Sequence, residues 1–120
     1  MSRNILSVSY DENLLTTRGL LLEREGYQVT SALGFTAGLA HCQSTVFDLF
    51  VLGHSIPDQD KLELIKAFRA KSAAPVLSLR RQGERLVDIA EYHAFPDHPG
   101  DLLDTVAEIF GHRRRNSADG

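Results

Sequence analysis

Phe47-Asp48-Leu49-Phe50-Val51-Leu52-Gly53-His54-Ser55-Ile56-Pro57 is the stretch whose reading decides the fold. Its apolar centre, Leu49 to Leu52, shows no polar alternation, which suits a strand covered by helices on both faces. The run ends at Gly53, and a short polar loop through His54 and Ser55 leads to Pro57. Two runs of the same kind lie to either side, Ile5, Leu6 and Val8 near the start and Val76, Leu77 and Leu79 after Pro75. Tyr27-Gln28-Val29-Thr30 is alternating and β-branched, as an edge strand would be.

Between these runs the period becomes helical. Leu14/Leu15 and Leu21/Leu22 form one apolar stripe that stops near Gly26, a natural terminator. Phe35, Leu39 and Cys42 follow at i, i+4, i+7, and Leu62, Ile65 and Phe68 at i, i+3, i+6. Leu102, Leu103, Val106 and Phe110 mark a last helix, with Asp101 placed to complement its dipole and Arg113 to Arg115 after its end. Asp58 and Asp60 are placed to cap the helix that follows Pro57. Strands alternating with helices predict an α/β domain built on a parallel sheet.

The bulk numbers bound the function. A chain of 120 residues holds one domain, read here as 1–112, with a polar tail at 113–120 expected to be disordered. A net charge of −3 gives no general attraction to nucleic acid or anionic membrane. The Arg113–Arg115 run lacks aromatic interleaving and reads as a solvated helix end. Cys42 is the single cysteine, so no intrachain disulfide and no cysteine metal site are expected. The first apolar run is too short for a signal peptide and no window approaches a membrane span, so the expected location is the cytoplasm.

The spacing of these segments resembles that of two-component response regulator receiver domains. The match runs without a gap from Ile5 to about Ile65, through Glu23-Arg24-Glu25-Gly26-Tyr27-Gln28-Val29, Gly53, Pro57, Asp60 and Leu62-Glu63-Leu64. It continues in Pro75-Val76-Leu77, Tyr92-His93-Ala94-Phe95-Pro96 and the segment from Pro99 through Leu102-Leu103, so it spans roughly residues 4 to 111. The resemblance implies a flavodoxin-like, doubly wound five-stranded parallel sheet of order 2-1-3-4-5, with helices on both faces and its site at the carboxyl ends of the strands. Between Arg80 and Phe95 the chain is about seven residues shorter than usual, close to two helical turns. The family's fourth helix is therefore expected to be shortened or absent, and residues 81–91 are left without an assigned conformation.

The chemistry the resemblance implies needs carboxylates for Mg2+, an aspartate acceptor, a hydroxyl and a lysine. In this register the acidic pair falls on Ser9 and Tyr10, the acceptor on Gly53, the hydroxyl on Arg80 and the lysine on Phe95; Asp11 alone retains a carboxylate nearby. A glycine has no side-chain oxygen to accept a phosphoryl group, so the sequence reads as a degenerate pseudo-receiver in which Mg2+ binding is lost or weak. Tyr92 matches the aromatic residue the family uses on its signalling face.

Several residues keep two readings. Arg80 either pairs with Asp11 or Glu12, imitating an occupied site, or is a solvent-exposed arginine at a strand end. Tyr10 and Phe95 are expected to fill the altered site with apolar surface, worth on the order of 2 kcal/mol for a fully buried ring. His54, with Asp11, Asp58, His93 and His98, is either part of an ad hoc metal site or a loop histidine; none has zinc-type spacing. The expected function is a stand-alone signalling receiver working by protein contact, without aspartate phosphorylation. Its partner would be a histidine kinase, another signalling protein or a second copy of the chain. The alternative is a switch that binds a small anion or metabolite near Ser9, Asp11, Gly53, His54 and Arg80. No nucleophile–base pair at recognisable spacing supports an enzyme.

Overall fold

The computed structural model describes residues 3–80, 90–95 and 99–111. Five strands, β1 (Asn4–Ser9), β2 (Gln28–Leu33), β3 (Leu49–Leu52), β4 (Val76–Leu79) and β5 (Tyr92–Ala94), form one sheet of order β2-β1-β3-β4-β5. Every pair is parallel, with Ile5 opposite Leu49, Phe50 opposite Val76 and Leu77 opposite Tyr92. Four helices are present among the described residues: α1 (Glu12–Arg24), α2 (Phe35–Ser44), α3 (Asp58–Arg69) and α4 (Pro99–Ile109). The expected topology is thus the observed one. The family's fourth helix would fall between β4 and β5, outside the described residues, and so does the tail from 112 onward.

The period-two geometry of strands divides their side chains between two cores. Leu6, Val8, Phe50, Leu52 and Val76 meet Cys42 of α2 and Leu64, Ile65 and Phe68 of α3. Ile5, Leu49, Val51, Leu77, Leu79 and Ala94 meet Leu22 of α1 and Leu102, Leu103 and Val106 of α4. Both faces being covered explains why β3 and β4 carry continuous apolar runs and are buried at every position. Phe50 and Phe68 stack across the first core with ring centroids 4.5 Å apart. Burial in that core also pushes the Cys42 thiol up to about 11, so it is protonated at neutral pH and inert.

Two expectations about α3 are corrected. Its buried stripe is Lys61, Leu64, Ile65 and Phe68, whereas Leu62 is exposed at 41%. The stripe therefore begins on a lysine and lies one residue before the phase read from leucines alone. Pro57 is the N-cap and makes no side-chain cap bond; Asp58 and Asp60 lie inside the first turn, where they complement the helix dipole. Capping of the expected kind occurs at α1, where Asp11 accepts a hydrogen bond from the Leu14 N–H at 3.1 Å.

Candidate functional site

Strand β3 ends at Leu52, and Gly53 continues it by donating its N–H to the Val8 carbonyl of β1 at 2.8 Å. This brings Gly53 level with Ser9, the last residue of β1, at the carboxyl end of the sheet. A Cβ placed on Gly53 would lie 3.0 Å from Nη1 of Arg18 and 3.2 Å from Oγ of Ser9. The absence of a side chain at Gly53 is what lets the Arg18 guanidinium approach the strand end so closely.

Arg18 was not foreseen as a site residue. It sits on the buried stripe of α1 between Leu15 and Leu22 and is only 5% exposed. Among the described residues its one hydrogen bond is a long one, 3.4 Å from Nη2 to Nδ1 of His54. Burial lowers the affinity of the guanidinium for its proton, and the negative charge of Asp11 restores part of it. Asp11 itself is exposed and occupied as the α1 cap.

A second buried cation was also missed. Lys61 of α3 is 3% exposed, and its ammonium donates to Ser78 Oγ at 3.0 Å and to the Leu79 carbonyl at 3.1 Å. It satisfies the end of β4 from the opposite face of the sheet. Arg80 follows directly: its N–H bonds to the Ala94 carbonyl at 3.0 Å, and its guanidinium lies 5.1 Å from the centre of the Phe95 ring. The expected pairing of Arg80 with Asp11 or Glu12 is replaced by this cation–π contact, which a flat guanidinium over an aromatic face favours.

Tyr10 and Phe95, which follow the ends of β1 and β5, are both partly buried; the atoms nearest to a Cβ on Gly53 belong to Arg18 and Ser9. Tyr10 packs against the α2–α3 core and donates its hydroxyl to Asp60 at 2.7 Å. Burial, that hydrogen bond and the charge of Asp60 together push the Tyr10 hydroxyl far above the ordinary tyrosine value. Phe95 is held from below by its N–H, which donates to Asp101 of α4 at 2.8 Å. The Ser9 hydroxyl is turned inward, bonded to the Asp11 backbone N–H at 3.0 Å.

Among the described residues no three His, Cys, Asp or Glu side chains gather as a metal-holding group, and His98 lies outside them. Tyr92, on the outer edge of β5, is 39% exposed. No described helix is long and apolar enough to cross a membrane.

Comparison with known proteins agrees with this architecture. No family model matches the sequence. Response regulator ArlR of Staphylococcus epidermidis is 29% identical over 116 residues, covering 93% of this chain and 53% of that protein. The KDP operon transcriptional regulatory protein KdpE of Escherichia coli is 31% identical over 94 residues, covering 78% of this chain and 42% of its own. The chain spans about half the length of these curated relatives, or less. Among solved structures, a response regulator receiver domain protein (CheY-like) from Methanospirillum hungatei is 26% identical with a TM-score of 0.76, over 90% of this chain and 93% of that one. A two-component response regulator from Clostridium difficile superposes with a TM-score of 0.78 over 97% and 100% of the two chains; at 22% identity that likeness shows the fold alone. Sequence relatives and solved structures together support a response regulator receiver (CheY-like) domain.

Proposed function

We propose that this receiver domain signals by protein contact and without phosphorylation of an aspartate. The observation that carries the reading is Nη1 of Arg18 lying 3.0 Å from where a Cβ of Gly53 would be. In the receiver register Gly53 holds the acceptor position, so the fixed positive charge of Arg18 stands beside a residue with nothing to modify.

The same geometry argues against a divalent cation. A hard cation needs several oxygen ligands, preferably carboxylates. Here the positions of the acidic pair are held by Ser9 and Tyr10, which carry no carboxylate; Asp11 caps α1 and Asp60 receives the Tyr10 hydroxyl. Arg18 adds a positive charge beside the end of β3. The donor set therefore does not fit Mg2+, and no step of the proposed function passes through it. Nor does any nucleophile–base pair among the described residues support an enzymatic role.

The contact face proposed for the partner is the outer edge of β5 around Tyr92 together with α4, which the sheet order leaves at one end. A histidine kinase, another signalling protein or a second copy of the chain would suit it, in the cytoplasm. Without phosphorylation, a change of state requires a partner that binds two conformations differently.

The test is an amide NMR titration with Mg2+ and beryllofluoride. The expected result is that no Mg2+-dependent shifts appear at Asp11, Gly53, Arg80 or Tyr92. Clustered shifts that require Mg2+ would overturn the proposal.

A second reading has its own observation. Arg18, Lys61 and Arg80 collect three cations at the ends of β1, β3 and β4, and the nearby carboxylates Asp11 and Asp60 are already engaged. The sign of that charge favours a small anion or metabolite as an effector of the switch.

A further inference from the structure

Residues 26 to 47 contain no aspartate, glutamate, lysine or arginine, where the chain's overall 24% of charged residues would place about five. The stretch runs through β2 and the whole of α2. β2 stands at the end of the sheet and, among the described residues, pairs only with β1. Proteins keep an exposed strand edge from pairing with charged side chains, proline, bulges or very short strands. β2 uses none of these: Gln28-Val29-Thr30-Ser31-Ala32-Leu33 is six residues in unbroken register with β1.

The hydrogen-bonding groups of this edge are symmetrically placed. The Gln28 N–H donates to the Arg3 carbonyl and the Gly34 N–H to the Ser9 carbonyl, each at 2.9 Å. A parallel ladder uses alternate residues, so Val29, Ser31 and Leu33 turn their N–H and C=O groups away from β1. A two-fold axis at Ser31 pairs Ser31 with Ser31 of a second copy and Val29 with Leu33 of that copy. Each such antiparallel pair exchanges two hydrogen bonds, so the edge is its own complement.

The side chains suit the same axis. Val29 packs against the core beneath α1, and Ser31 Oγ lies 3.3 Å from where a Cβ of Gly19 would be; period two puts Leu33 on that face as well. Leu33 is 47% exposed, and Leu20, the residue after Gly19 in α1, is 58% exposed. Pairing about Ser31 covers Leu33 with Val29 of the second copy and brings Leu20 of both copies close to the axis. Six residues give an edge about 20 Å long. Flanked by helical layers each about 10 Å across, it offers an area of the order of the roughly 800 Å2 per partner of a standard interface. Depletion of charge is also the compositional mark of an interface core.

We infer that the β2 edge is a homodimer interface, in which two copies join antiparallel through β2 into one continuous sheet. The inference is independent of the reading of Gly53. It places self-association on the edge opposite β5 and leaves Tyr92 and α4 for a different protein.

The experiment is sedimentation of the full chain over a concentration series up to the millimolar range, with amide hydrogen exchange on the same samples. The wild-type chain should form a dimer, and exchange at Val29, Ser31 and Leu33 should slow as the dimer fills. Ser31→Pro should make the chain monomeric: the lost N–H faces the edge, so no bond to β1 is removed. Leu33→Lys sets a charge on the edge and should do the same, and it decides the matter if Ser31→Pro does not fold. Tyr92→Lys should leave the dimer intact.

A wild-type chain that stays monomeric throughout the series would overturn the inference, even if an extended peptide added to the β2 edge. A dimer that survives Leu33→Lys, or one that is lost in Tyr92→Lys alone, would overturn it by placing the contact elsewhere.

Discussion

Replacing Arg18 by methionine should make the domain more stable, an unusual direction for a change at a position only 5% exposed. The guanidinium gives up its hydration and recovers one 3.4 Å hydrogen bond to His54 and the more distant field of Asp11. Desolvating a charge costs several kcal/mol unless good partners offset it. Methionine keeps the length of the stem, which packs between Leu15 and Leu22, and places apolar atoms next to Gly53. Replacing buried ionic groups with hydrophobic residues of similar volume has stabilised other proteins by about 1–4 kcal/mol. Taking about 2 kcal/mol for a single cation, the melting temperature should rise by roughly 6–10 °C in a domain of this size. Calorimetry with a parallel urea titration at low salt would measure it, without phosphate or sulfate in the buffer. A variant that melts at or below the wild-type temperature would refute the reasoning, because the guanidinium would then be a net stabiliser.

Phe95→Lys would remove the ring beneath Arg80 and set two cations side by side; a loss of about 1 kcal/mol or more is expected, read as a lower melting temperature, and an unchanged value would show that the cation–π contact contributes nothing. Tyr10 should make stability sensitive to alkali. Its folded value is raised, so the fold favours the neutral phenol; that contribution is complete below the ordinary value of about 10 and fades as the pH rises above it. Tyr10→Phe should cost about 1 kcal/mol at neutral pH by losing the bond to Asp60, and should flatten the alkaline part of the stability profile. An identical alkaline slope in wild type and variant, followed by denaturant titrations from neutral pH to beyond 10, would contradict this.

The sheet was legible because its strands are short apolar runs separated by helical periods, and Gly26, Gly53 and Pro57 fixed their spacing. The place of Gly53 at the end of β3 was legible for the same reason. Arg18 and Lys61 were not, although the signal was present. Arg18 stands at i+3 from Leu15 and four before Leu22, and Lys61 stands three before Leu64 and seven before Phe68, each on the buried stripe of its helix. Stripes read from apolar residues alone pass over a cation, since arginine and lysine are almost never fully buried. The same habit shifted the phase of α3 onto Leu62. The Tyr10–Asp60 bond joins residues fifty apart and needs the folded sheet before the two meet. Arg80 was rightly placed at the end of β4, but its choice of Phe95 over Asp11 depends on the rotamers of neighbouring strands, which no spacing encodes.

The central claim is that no phosphoryl group is covalently accepted at Gly53 or by a residue beside it. Its most direct test is intact-mass spectrometry after incubation with Mg2+ and acetyl phosphate, with a phosphorylatable receiver domain treated in parallel as the positive control. The account predicts that this chain keeps its mass while the control gains one phosphoryl group. A phosphoryl adduct on the chain, mapped to His54, Asp58 or any other residue at the strand ends, would contradict it.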